Sequence, residues 1–70
     1  MNKFYVSFGQ VHVHSVNGVT FDKDILAAIN ARTEQEARSI AFNTFGNKWF
    51  TTYTELPDLK WFPRGVAFIN

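Results

Sequence analysis

Seventy residues carrying seven basic and six acidic side chains, no cysteine and a net charge of +1 define one small domain with little room beyond a single core. The missing thiols exclude disulfides, thiolate zinc sites, iron–sulfur clusters and cysteine nucleophiles. The balanced, scattered charge excludes a DNA mimic and argues against strongly electrostatic nucleic-acid binding, and no apolar run approaches the roughly 20 residues of a membrane span.

The chain opens with a strand. Phe4, Val6 and Phe8 alternate with Tyr5 and Ser7, the period-2 pattern of a half-buried strand. After Gly9 the apolar parity passes to Val11 and Val13, which predicts a bulge at Gly9-Gln10 that leaves His12 and His14 outward. Asn17-Gly18 is a hairpin turn signal. Ile25 to Ala31 fits either a strand or a helix by periodicity. The next residues decide for a strand, because Thr33-Glu34-Gln35-Glu36 is a capping box that starts a helix at Thr33. That helix is expected over Glu34 to Phe45, with Ala37, Ile40, Ala41 and Phe45 on one face, Phe42 off it, and Gly46 as the C-terminal cap.

A third strand is expected next, with Trp49, Thr51 and Tyr53 on one side and Phe50, Thr52 and Thr54 on the other. Leu56-Pro57-Asp58 ends it, and Pro63-Arg64-Gly65 makes a tight turn before a possible fourth, C-terminal strand over Val66 to Ile69. The predicted architecture is a single α+β domain over residues 1–70: a small antiparallel sheet in the order β-β-α-β, with one helix packed on one face. After Lys3, the polar Ser7, Gln10 and His12 arrive too early for a signal-peptide core, so the chain is expected to stay in the cytoplasm.

Catalytic chemistry has little to stand on. His12 and His14 share a strand face and form the most ligand-like pair, but catalytic zinc normally takes three protein ligands. Nothing selects a third from Asp22, Asp24 or Glu55. Asp22 and Asp24 read as polar turn residues, and Glu34 and Glu36 as first-turn helix charges, with Arg38 placed to pair with Glu34. No phosphate loop, nucleophile elbow or metalloprotease helix is present. The expectation is a non-enzyme without metal or other cofactor.

What remains is an excess of rings: eight phenylalanines, two tyrosines and two tryptophans. Strand alternation and helix spacing assign Phe4, Phe8, Phe45 and Phe68 to the core. Tyr5, Tyr53 and Trp61 are left for the surface, Trp49 is open between core and surface, and Arg64 lies beside Trp61. Tyr5, Trp49, Tyr53, Trp61 and Arg64 are therefore the candidate binding residues. Tryptophan, tyrosine and arginine are the usual anchors of protein interfaces, while rings interleaved with lysine also stack on single-stranded bases.

Tyr5-Val6-Ser7-Phe8-Gly9, Ala31 with Glu36-Ala37-Arg38, Phe45-Gly46-Asn47-Lys48-Trp49, Tyr53 and Phe62-Pro63-Arg64-Gly65 together resemble the pattern of a family of very small proteins of tailed bacteriophages. Ser7 stands where that pattern usually has threonine. The resemblance covers nearly the whole chain and implies a phage gene expressed in an infected bacterium, with no activity attached. The expected function is that of a non-enzymatic accessory protein which binds a host protein of transcription, nuclease or defence machinery and inhibits or redirects it. The alternative is a binding module for single-stranded nucleic acid or a nucleotide-like ligand, and a homodimer built on an uncovered sheet face or edge is a third possibility.

Overall fold

The computed structural model describes residues 1–70. Its elements in chain order are β1 (Asn2–Ser7), β2 (His14–Val16), β3 (Val19–Phe21), β4 (Ile25–Ala31), α1 (Glu34–Phe45), β5 (Thr51–Tyr53), a 3-10 turn (Leu59–Trp61) and β6 (Gly65–Phe68). Strands β5-β1-β4-β6 form one sheet in that order, and β2-β3 form a separate hairpin. The expected α+β class, with one helix on a small sheet, is the one observed. The sheet is not antiparallel throughout, which was the expectation, but mixed: β1 is antiparallel to both β4 and β5, whereas β6 joins β4 in parallel, because the β5–β6 connection crosses from one edge of the sheet to the other.

The local signals that place β4 and α1 are those of the sequence. The Thr33 side chain accepts the Glu36 N–H at 3.1 Å. Glu36 reaches back to the Arg32 N–H at 3.3 Å, one residue before the usual partner of a capping box. At the other end Gly46 takes a positive φ of 66° and donates its N–H to the Phe42 carbonyl, closing the helix as glycine does best. Ala37, Ala41 and Phe45 are buried and Ile40 is half-buried, while Phe42 is exposed.

Beneath the helix lie Phe4, Val6 and Phe8 of the first strand and its end, with Ile25, Ala27, Ile29 and Ala31 of β4. The hairpin closes the end of this core. Phe8, Phe21 and Phe45 meet at ring separations of 4.9–5.5 Å, the offset and edge-to-face spacing that aromatic quadrupoles favour. Asn17 and Gly18 both take positive φ, 51° and 79°, as the two central residues of a type I′ turn must.

Three further expectations are corrected. The bulge at Gly9-Gln10 is absent: Gly9, at φ 66°, turns the chain out of the sheet. Val11 and Val13 are therefore exposed, and His14 lies 5.2 Å from the Phe45 ring rather than facing outward. Trp49 does not continue β5. It sits on irregular backbone ahead of the strand and packs in the core. Phe68 is 55% exposed, because the register that pairs Ala67 with Ala27 and Phe68 with Ala28 points Ala67 towards the helix and Phe68 away from it.

These assignments separate two phenylalanines. Phe8→Ala should cost about 3–5 kcal/mol, a large part of a small domain's total stability. Phe68→Ala should cost about 0.5 kcal/mol or less. Urea denaturation followed by circular dichroism reads both, and equal losses would contradict the assigned core.

Candidate functional site

The side of the sheet away from the helix carries Tyr5 and Ser7 of β1, Leu26 and Ala28 of β4, and Thr51 and Tyr53 of β5. This follows from strand alternation and from the register that sets Tyr5 opposite Tyr53 and Ser7 opposite Thr51. Leu26 and Ala28 are fully buried there. The connection from β5 to β6 joins the two outer strands of the sheet. It brings Trp61 and Phe62 to Ser7 and Tyr53, so it crosses this second face.

The crossing segment is held by its own hydrogen bonds. Asp58 accepts the Lys60 N–H at its Oδ1 (3.0 Å) and the Trp61 N–H at its carbonyl (3.2 Å). Phe62 donates to Leu59, and Gly65 donates across the Pro63-Arg64 turn to Phe62 at 2.8 Å. Arg64 clips the segment to the β3–β4 turn. Its N–H donates to the Asp24 carbonyl at 2.9 Å, and its guanidinium donates to the Thr20 carbonyl at 2.7 Å and to Asp22 at 3.1 Å. Trp61 is left 69% exposed, with the Lys60 ammonium 5.4 Å from its ring centre.

Between this segment and the sheet lies a cavity of about 220 Å³, lined by Ser7, Gly9, Gln10, Lys23, Phe50, Tyr53, Trp61 and Phe62. Phe50 is 68% exposed and is held by donation of its N–H to the Ser7 carbonyl at 2.8 Å. Ser7 itself is buried, and its Oγ has no hydrogen-bond partner. An orphaned buried hydroxyl costs about 1–3 kcal/mol, which makes this serine the anomaly of the site.

The five candidate residues do not form one patch. Tyr53 and Trp61 meet at the cavity. Tyr5 is half-buried and pairs with Tyr53 across the strands. Trp49, at 9% exposure, lies in the core cluster on the helix side of the sheet. There its indole N–H donates to the Gly46 carbonyl at 3.0 Å, the Phe42 ring stands edge-on at 5.2 Å, and Arg38 stacks over it at 5.2 Å. Arg64 is taken up in the clip. Ser7, Gln10, Lys23, Phe50 and Phe62 were not among the candidates. Ser7 carried only the signal of an outward polar strand position, and the others lie in turns or beside strand ends.

His14, Asp22, Asp24, Glu34, Glu36 and Arg38, singled out from the sequence, are engaged within the fold. His14 Nε2 lies 2.7 Å from the Lys48 carbonyl, which can only accept, so Nε2 carries the proton. Glu34 and Arg38 meet through the Thr52 hydroxyl, which donates to Glu34 and accepts from Arg38, both at 3.0 Å. No three side chains of His, Asp or Glu gather where a metal ion would bind, and Lys23 pairs with Asp24 at 2.9 Å. The Asp24 N–H donated to Asp22 holds the Asp22 carboxyl below the ordinary carboxylate range. Arg64 adds to this, and partial burial opposes it. No helix is long and apolar enough to cross a membrane. Comparison with protein-family models, curated proteins and solved structures finds no match.

Two stability measurements follow. The depressed Asp22 carboxyl contributes stability that is present above its unfolded pKa and lost as pH falls through the lower folded value. Asp22→Asn should therefore lower stability by about 1 kcal/mol at neutral pH. That gap should narrow as pH drops below about 4. A gap that stays constant down to acid pH would contradict the clip. Ser7→Ala removes the orphaned hydroxyl and should raise stability by about 1 kcal/mol, seen as a Tm increase of about 4–8 °C; a lower Tm would mean that Ser7 Oγ is satisfied.

Proposed function

We propose that the chain is a non-enzymatic accessory protein that binds a partner protein through its helix-free face, with Trp61 as the central anchor. The observation that carries this reading is Trp61 itself: 69% exposed, on a capped turn that is already hydrogen-bonded in the free protein. A large ring on a preformed turn loses little freedom when it is buried, so most of its apolar area is available for affinity. Phe50 and Tyr53 flank it at the cavity and enlarge the surface a partner would cover.

The motif resemblance supports a bacteriophage origin and therefore a bacterial host protein as the partner, met in the cytoplasm of the infected cell. Inhibition or redirection of transcription, nuclease or defence machinery is the consequence proposed for that binding. Arg38, Trp49 and Phe42 form a second aromatic group by the helix end. Its tryptophan is buried, so Trp49 is a weaker anchor than Trp61.

Affinity capture from host lysate with matched wild-type and Trp61→Ala proteins tests the reading. The wild type should retain a stoichiometric partner that Trp61→Ala loses, with a loss of at least about tenfold in affinity, the scale of a hot-spot residue. Circular dichroism should find the variant folded. Identical retention by both proteins would contradict the assignment of Trp61.

A further inference from the structure

We propose that the outer edge of β6 pairs with the same edge of a second copy of this chain, antiparallel about Ala67, so that two four-stranded sheets become one. This inference goes beyond the partner-protein reading and is independent of it, because it rests on the backbone of β6 and not on Trp61.

The ladder shows which groups are free. Strand β6 ends the sheet, with β4 on one side only. The Ile69 N–H donates to the Ala28 carbonyl at 3.0 Å. Backbone groups of successive strand residues point to opposite sides within the sheet. Ala67 and Ile69 therefore serve β4, while Val66 and Phe68 turn their N–H and C=O groups outward. Such a row is a template for another strand unless charge, proline or shortness blunts it. Val66-Ala67-Phe68-Ile69 contains neither charge nor proline. Lys3 reaches to 5.6 Å from the Phe68 ring centre, but it does so from β1, inside the sheet, and leaves the edge unguarded. The opposite edge is managed differently: β5 has three residues, and Glu55 and Pro57 follow close behind.

The order of side chains selects a second copy as the occupant. With a two-fold axis at Ala67, Val66 of each copy stands opposite Phe68 of the other. These are the residues whose backbone groups point outward, so both pairs are hydrogen-bonded ones. Ala67 meets its own counterpart on the axis, where a small side chain permits close approach. Gly65 falls opposite Ile69, the smallest residue against a large one. Phe68, 55% exposed in the single chain, comes to lie on the helix-free face beside Val66 of the second copy, an apolar cross-strand pair of the kind that stabilises sheets. Charge does not oppose the pairing. Arg64, bonded to Asp22 at 3.1 Å, falls opposite the uncharged Asn70, and the net charge of each copy is only +1. An edge of four residues is short beside the roughly 1,200–2,000 Å² that stable interfaces bury, so the dimer forms and dissociates with concentration.

Sedimentation equilibrium of the intact chain from about 10 µM to about 1 mM tests this. The mass should rise from that of the 8.1 kDa monomer towards twice that value. Phe68→Lys places a charge on the edge at an exposed position; it should stay folded by circular dichroism and monomeric throughout. Trp61→Ala should dimerise as the wild type does, which separates this edge from the partner surface. Ala67→Cys gives the chain a single thiol. A non-hydrogen-bonded antiparallel pair sets its Cα atoms about 4.5 Å apart, within disulfide range, so mild oxidation should link the copies faster than it links Val13→Cys, a control at an exposed position away from the edge. A wild type that stays monomeric throughout this range would overturn the proposal and leave the edge to a strand of another protein. A dimer that persists in Phe68→Lys, or linkage through position 67 no faster than through position 13, would overturn it as well.

Discussion

A central strand that is apolar on both faces is the constraint on which the rest of the structure depends. Ile25 through Ile29 is an unbroken apolar run, and every one of those residues is buried. Such a strand cannot leave either face to water. The helix covers Ile25, Ala27 and Ile29. Leu26 and Ala28 need cover on the other side, where the chain has no second helix to offer. The β5–β6 connection crosses that face, and it carries Trp61 and Phe62 over the sheet as it does so.

That second cover is thin, and its thinness creates the site. A 3-10 turn fills less space than a helix, so the gap between it and the upper ends of β1 and β5 becomes a cavity lined by rings. Backbone hydrogen bonds and the Arg64 clip fix the turn, which keeps the gap open and Trp61 facing outward. The buried Ser7 hydroxyl, which has no partner, is a local conflict between stability and sequence.

Sequence reasoning succeeded where the signal was local. Thr33, Glu36 and Gly46 mark the helix ends by their own hydrogen-bonding and backbone preferences, and the helix start in turn resolved Ile25–Ala31 as a strand. It failed where the answer depended on a one-residue choice of path. Treating Gly9 as a bulge kept the chain in the sheet and sent Val11 and Val13 inward, whereas the positive φ of Gly9 turns the chain out. Phe68 was misplaced because the register of β6 against β4 is a tertiary fact, and a shift of one residue reverses its face. The cavity was not legible at all. Its walls come from β1, the β3–β4 turn, β5 and the crossing segment, which only the β5–β6 crossover brings together. Trp61 was still identified as a surface ring, because its charged and proline neighbours are a local signal.

The crossing segment is formed in the free protein and presents Trp61 ready-made. Amide hydrogen exchange of the unliganded chain, read at Trp61, Phe62 and Gly65, tests it most directly. Exchange should be slowed by at least about tenfold relative to an unstructured chain, together with ring-proton contacts between Trp61 or Phe62 and Tyr53. Unprotected exchange at all three amides, with no such contacts, would mean that the second face is not held by this segment and would contradict the account.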